Sequence, residues 1–236
     1  MGVPSKAARK VWLFDLDNTL HDAGSRVFGA LHQAMNDYVV RELALPVDEA
    51  DRLNQLYWQR YGATLLGLQR HHGVKPAHFL DHTHRLPELQ QWLNGHRHDF
   101  AAIRRLPGRK FILTNAPRAY ALRVLRWLGI NGLFDAVFSI EDMAMFGQLR
   151  PKPDARMLRR LAVKLAVPPG RCVLVEDTLQ HLKSARRVGM GTVWMQRYLQ
   201  RGTGLGQRLG RPAMKPAYVD RRLGRLGLLL RGRSRP

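Results

Sequence analysis

Residues 11 to 20 read V-W-L-F-D-L-D-N-T-L, four apolar residues running straight into two carboxylates at i and i+2. An apolar run this short, ended abruptly by polar residues, has the pattern of a strand buried on both faces of a parallel sheet. Its polar end then lies at the carboxyl edge, where open α/β sheets bind ligands. Side chains alternate along a strand, so Asp15 and Asp17 are expected on one side and Leu16 on the other, in packing. Two acids crowded at a strand end repel each other and are costly to desolvate without a cation, and a hard metal ion answers that need. An isolated D-x-D also ends strands and caps turns, so the rest of the chain must decide.

Between residues 25 and 106 the β-branched runs give way to helical spacing. Phe28, Leu31, Met35, Tyr38 and Val39 mark one apolar face that ends before Pro46; Leu53, Leu56, Tyr57 and Tyr61 mark a second, closed by Gly62; Leu65, Leu66 and Leu68 mark a third before Gly73. Shorter helices fill residues 76 to 106, with Pro87 starting one. From residue 109 the strand pattern returns at 110 to 113, 136 to 140, 172 to 175 and 191 to 195. Helices are expected after Pro117, over 154 to 165 and over 179 to 188. Strands alternating with helices of this length imply a doubly wound parallel sheet, here with an all-helical insertion after the first strand.

Polar residues recur at the other strand ends. Thr114-Asn115 precedes a helix N-terminus, where free N–H groups and the helix dipole favour a phosphate. Lys152 stands between Pro151 and Pro153, in a loop stiff enough to hold an ammonium over the same edge. Glu176-Asp177-Thr178 ends the fourth strand. Each piece also has an ordinary reading as a turn, a helix cap or a solvated lysine; their joint occurrence in this order is specific.

On these motifs residues 11 to 196 resemble the haloacid dehalogenase-like (HAD) superfamily. Asp15, Asp17 and Thr19 match its first motif, Thr114 its second, Lys152 its third, and Glu176 with Asp177 its fourth. The resemblance implies a Rossmann-like HAD core over 1–20 and 107–196, a C1 cap over 21–106 and a basic tail over 197–236. It also implies a sheet whose first strand is flanked by the strands of motifs two and four. The implied reaction is phosphomonoester hydrolysis through an aspartyl-phosphate, with Asp15 the nucleophile and Asp17 the general acid and base. Thr114, Asn115 and Lys152 would bind phosphate. Mg²⁺ would be held by Asp15, the carbonyl of Asp17 and Asp177, with Glu176 acting through water. Asp17 favours phosphoryl transfer over dehalogenation, because a halide leaving group needs no acid.

The segments F-D-L-D-N-T-L-H, R-Y-G-A-T-L-L-G-L at 60 to 68, L-T-N-A-P at 113 to 117 and I-E-D-M at 140 to 143 look like the pyrimidine 5′-nucleotidase branch. The expected substrate is therefore a small phosphorylated molecule, UMP or CMP, with phosphoglycolate or a sugar phosphate as the alternative. His21 stands where much of that branch has tyrosine. Arg60, Tyr61 and Thr64 are open to two readings, substrate contact or packing.

The formal charge is +21, of which residues 197 to 236 carry +10 from eleven Lys and Arg against Asp220. With Gly202, Gly204, Gly206 and Gly210 interrupting any helix, this tail reads as a loosely ordered, solvated extension with a short amphipathic stretch at 223 to 230. Removal of residues 200 to 236 is expected to leave turnover nearly unchanged. It offers contact with anionic surfaces but no nucleic-acid-binding motif; a catalytically idle basic binding module is the alternative function of another class. No window approaches a membrane span and residues 1 to 10 are too short and polar for a signal peptide, so a cytoplasmic enzyme is expected. Cys172 reads as core. Seven of the ten histidines fall between His71 and His98 without acids or cysteines at zinc-ligand spacing, and read as solvated cap surface.

Overall fold

The computed structural model describes residues 10 to 24, 26 to 199 and 214 to 231. Its central sheet holds β1 (Val11–Phe14), β2 (Arg109–Leu113), β3 (Ala136–Phe138), β6 (Cys172–Glu176), β7 (Gly191–Met195) and β8 (Arg221–Leu223), in the order β3-β2-β1-β6-β7-β8. All neighbours are parallel. The motif-two and motif-four strands flank β1, as the resemblance implies.

Alternation sorts the strand residues into two cores. Trp12, Phe14, Ile112, Val175, Val193 and Met195 pack on one face, against α7 (Arg118–Trp127) and α6 (Arg97–Arg105). Val11, Leu13, Phe111, Leu113, Leu174 and Trp194 pack on the other, against α8 (Ala155–Lys164) and α9 (Leu179–Arg187). With both faces covered, β1 has no exposed residue, which is why its sequence is apolar without interruption. Cys172 is fully buried in the second core, and burial pushes its thiol up to about 11.

The insertion holds α1 (Val27–Leu43), α2 (Val47–Tyr61), α3 (Thr64–His72), α4 (Pro76–Thr83) and α5 (Leu89–Trp92). Gly62 and Gly73 end α2 and α3 in left-handed conformations, as their positions suggest. Gly67 is required by packing: a Cβ there would lie 2.1 Å from the Tyr57 ring of the neighbouring helix. Tyr38, Val39, Ala50, Tyr57, Leu65, Leu68, Phe79 and Leu80 form a third core of the insertion's own, which reaches Ile140 and Leu149 beyond β3.

The structure divides the helical block differently from the sequence reading. Leu86, Leu89, Ile103 and Leu106 join the core beneath the sheet, not the cap core. The chain's C-terminal segment packs against α6, and its Leu226 and Leu229 share this core with Ile103. That segment is itself a correction. Residues 214 to 231, read as part of a solvated tail, add β8 to the sheet edge and follow it with a 3₁₀ turn over Leu226–Leu230. Val219, Leu223, Leu226 and Leu229 are buried. The basic composition hid this because Arg221 and Arg222 of the edge strand keep exposure to solvent, and the buried Val219 and Leu223 pack in opposite cores, so no apolar alternation marks the strand. Residues 200 to 213, with their four glycines, and 232 to 236 lie outside the described residues.

Two smaller differences concern the chain before α8. The third strand stops at Phe138, because Ser139 and Asp142 form a capping box that opens a 3₁₀ turn. A hairpin of β4 (Ala144–Met145) and β5 (Gln148–Leu149) follows, unsignalled in the sequence. It turns through Phe146 and Gly147, both at positive φ, the geometry of a two-residue hairpin loop.

Candidate active site

The carboxyl edge of the sheet gathers the motif residues. Asp15 continues β1, its N–H donating to the Val175 carbonyl at 2.9 Å, and alternation along the strand puts it on the Leu13 face. Leu16 turns into the opposite core, fully buried. After Leu16 the chain bends sharply: Asn18 takes a left-handed φ of 57°, and its Oδ1 accepts from the N–H groups of Ala23 and Gly24 at 3.1 and 2.8 Å. Asparagine tolerates this conformation better than most residues and ties the turn with its side chain.

Lys152 is 2% exposed and donates to Asp15 Oδ1 at 2.6 Å and to Glu176 Oε2 at 2.7 Å. Its loop is held by Asn115, whose side-chain amide donates to the Lys152 carbonyl and whose Oδ1 accepts from the Lys152 N–H, both at 2.9 Å. The peptide between Lys152 and Pro153 is cis. The Asn115 side chain, expected from sequence to bind phosphate, is thus engaged in placing the lysine. Thr114 remains free to donate: it is buried, and its Oγ1 accepts from the Ala116 N–H at 3.0 Å, which leaves the hydroxyl proton for another partner.

Glu176 is a strut. Besides Lys152, its Oε2 accepts from His181 Nδ1 at 3.0 Å, and its Oε1 accepts from the N–H groups of Asp177 and Thr178 at 3.2 and 3.1 Å, at the start of α9. Sequence reasoning missed His181; its placement on the first turn after the acidic pair was the available signal. Asp17 Oδ1 accepts from Tyr120 Oη at 2.6 Å and from His21 Nε2 at 2.9 Å, two further residues the sequence reading left without a role.

The charges are unevenly balanced. Burial pushes Asp15 up to about 7, helped by the Glu176 charge and opposed by Lys152. Burial, together with Glu176 and Asp15, pushes Asp177 well above the usual carboxylate range. For Glu176 burial acts upward, but Lys152, His181 and its hydrogen bonds outweigh it and hold the carboxyl below the usual range. Burial acts downward on Lys152, and the charges of Asp15 and Glu176 more than reverse it. One ammonium therefore faces three acids, and carboxylate oxygens of Asp15, Glu176 and Asp177 all lie within 4.8 Å of one another. An all-oxygen set with surplus negative charge fits a hard divalent cation.

The cap closes over this edge. His84, at the end of α4, packs edge-on against Tyr120 with ring centroids 5.7 Å apart, and Arg123 of α7 donates to the carbonyls of His84 and Arg85. Burial pushes His84 down to about 4. The candidate cap residues have packing partners: Tyr61 is hydrogen-bonded to His71 at 2.6 Å and lies under the guanidinium groups of Arg60 and Arg70, and Thr64 donates to the Asn54 carbonyl. Other cap histidines pair with tyrosines, His78 with Tyr38 and His72 with Tyr57, each at 2.8 Å. Among the described residues no helix is long and apolar enough to cross a membrane.

Comparison with known proteins agrees with this geometry. Over 199 residues the chain is 28% identical to Phosphate metabolism protein 8 of Saccharomyces cerevisiae, covering 79% of this chain but only 61% of the yeast protein. A segment of 64 residues is 38% identical to Enolase-phosphatase E1 of Frankia alni, covering about a quarter of each chain (27% and 25%). Among solved structures, CbbY from Rhodobacter sphaeroides in complex with phosphate superposes with a TM-score of 0.62 at 20% identity, covering 94% of this chain and 96% of that one. A HAD phosphatase from Thermococcus onnurineus gives 0.60 at 22% identity, covering 93% and 95%. Residues 10–189 match the family model of the haloacid dehalogenase-like hydrolases. With its motif residues gathered at one sheet edge beside a helical insertion, this chain belongs to the haloacid dehalogenase-like hydrolases.

Proposed function

We propose that the chain is a Mg²⁺-dependent phosphomonoester hydrolase working through an aspartyl-phosphate, with a pyrimidine nucleoside 5′-monophosphate as substrate. The observation that carries the reading is the pairing of a buried nucleophile, Asp15 held by Lys152 at 2.6 Å, with a second carboxylate two residues on. A phosphate monoester is anionic and repels a carboxylate. The Lys152 ammonium and the Thr114 hydroxyl provide the donors that draw its oxygens in and offset the charge developing on them. Asp15 attacks phosphorus, the bond to the ester oxygen breaks, and Asp17 gives its proton to the leaving alcohol. Asp17 then takes a proton from water as the water oxygen attacks phosphorus, and the bond to Asp15 breaks. Mg²⁺ would be held by the carboxylates of Asp15 and Asp177 and the Asp17 carbonyl, with Glu176 behind them, and when bound it supplies positive charge to the phosphoryl oxygens.

Support for a pyrimidine nucleotide comes from the likeness of the motif-one, 60–68, 113–117 and 140–143 segments to that branch. The name of the yeast relative, Phosphate metabolism protein 8, is in keeping with phosphate-ester chemistry. The test is phosphate release with Mg²⁺ from UMP and CMP against AMP, GMP, phosphoglycolate and sugar phosphates, with EDTA as control and Asp15→Asn alongside. Selective, EDTA-sensitive release from UMP and CMP that Asp15→Asn abolishes is expected. Preference for phosphoglycolate or sugar phosphates discards the nucleotide; substantial turnover by Asp15→Asn discards the covalent mechanism.

A further inference from the structure

The general acid proposed above is bound in an unusual way. Among the described residues both of its side-chain hydrogen bonds fall on one oxygen: Tyr120 Oη donates to Asp17 Oδ1 at 2.6 Å and His21 Nε2 to the same atom at 2.9 Å. The donors are buried, Tyr120 at 1% exposure and His21 at 0%, whereas the Asp17 side chain keeps 15%. We propose that Tyr120 and His21 are positioning residues for Asp17, fixing Oδ1 so that Oδ2 is the oxygen that passes its proton to the leaving group. This inference rests on the reading of Asp17 as general acid.

Each donor is itself fixed. His21 is brought back over Asp17 by the Asn18 turn and is bridged on the other side to Gly95. A Cβ at Gly95 would lie 2.4 Å from the tip of the Phe100 ring, so a side chain there would have to displace that ring. Nε2 faces a carboxylate oxygen, which can only accept, so the ring proton sits on Nε2; among the described residues the buried Nδ1 has no partner. Tyr120 is held from the cap by His84, whose carbonyl is in turn bound by Arg123 at 3.0 Å. A carboxylate oxygen can only accept, so the Tyr120 hydroxyl at 2.6 Å is the donor. Two donors localise negative charge on Oδ1, and the proton of the acid form then resides on Oδ2. A carboxyl held this way loses less in alignment at each proton transfer than one free to rotate.

The test separates leaving groups. A p-nitrophenyl ester departs as a stable phenolate and needs little help from an acid, whereas an alkyl ester departs as an alkoxide and must be protonated. Single-turnover release of p-nitrophenol and of the alcohol isolates the first chemical step. Asp17→Asn should lose far more on the alkyl ester than on the aryl ester. Tyr120→Phe and His21→Leu should share that signature in smaller measure, raising the aryl-to-alkyl rate ratio about tenfold, a fraction of the 10²–10⁴ that general acid catalysis supplies. His21→Gln, which presents an amide N–H where Nε2 stood, should restore most of the alkyl rate. Equal losses on both esters in Tyr120→Phe and His21→Leu, or no loss, overturn the positioning role. A flat profile in Asp17→Asn overturns the general-acid reading beneath it.

Discussion

Replacing Lys152 with methionine removes the ammonium while keeping most of the stem's packing. In the wild type this group donates to Asp15 and Glu176, whose side chains are 9% and 1% exposed. Without it, two buried carboxylates face each other, with the His181 ring still donating to Glu176. Breaking a buried ion pair by deleting one partner costs about 3–5 kcal/mol, which for a chain of this size lowers the melting temperature by roughly 10 °C. The pH dependence has a definite sign. Glu176 is held below its unfolded value by Lys152, so its contribution is complete above the unfolded value of 4.5 and is lost as pH falls through the lower, folded one. In Lys152→Met the carboxyls instead take up protons to fold. The deficit relative to wild type should therefore be largest near pH 7 and shrink on acidification toward pH 4. Urea unfolding in EDTA at a series of pH values measures it. A deficit under about 1 kcal/mol at pH 7, or one that widens toward pH 4, would refute the argument that the lysine neutralises this cluster.

Two further outcomes follow from the packing. Removing residues 214 to 236 strips β8 and the Leu226 and Leu229 contacts from the sheet and α6, and it takes away the Leu226 N–H that donates to buried Asp99 Oδ1 at 2.7 Å; thermal unfolding should show a loss of cooperative folding, where a free tail would leave it untouched. Asn115→Ala deletes both 2.9 Å bonds to the Lys152 backbone, so phosphate-ester turnover should fall about tenfold or more by misplacing the ammonium, with circular dichroism and melting temperature changed far less than in Lys152→Met.

The sequence by itself determined the parallel sheet, because strands covered on both faces must be apolar throughout and their polar terminations stand out. It also determined the identity of the central acids: alternation along β1 dictates that Asp15 leaves on the Leu13 face and Leu16 on the other. The order of motifs one to four then specified the family. Roles that arise between distant segments were not legible in this way. Asn115 reads as a phosphate donor until the Lys152 backbone, 37 residues away, is seen to take both ends of its side chain. Tyr120 carries no signal in the sequence, and its role appears only where its hydroxyl meets Asp17, 103 residues earlier in the chain. The C-terminal segment reads as solvated because its charge is local information, while the open edge of β7 and the uncovered flank of α6 that it fills exist only after the sheet has formed. Composition and periodicity report what a residue prefers to be near. Which partner it finds depends on where the rest of the chain has left an unsatisfied group, and only the tertiary structure decides that.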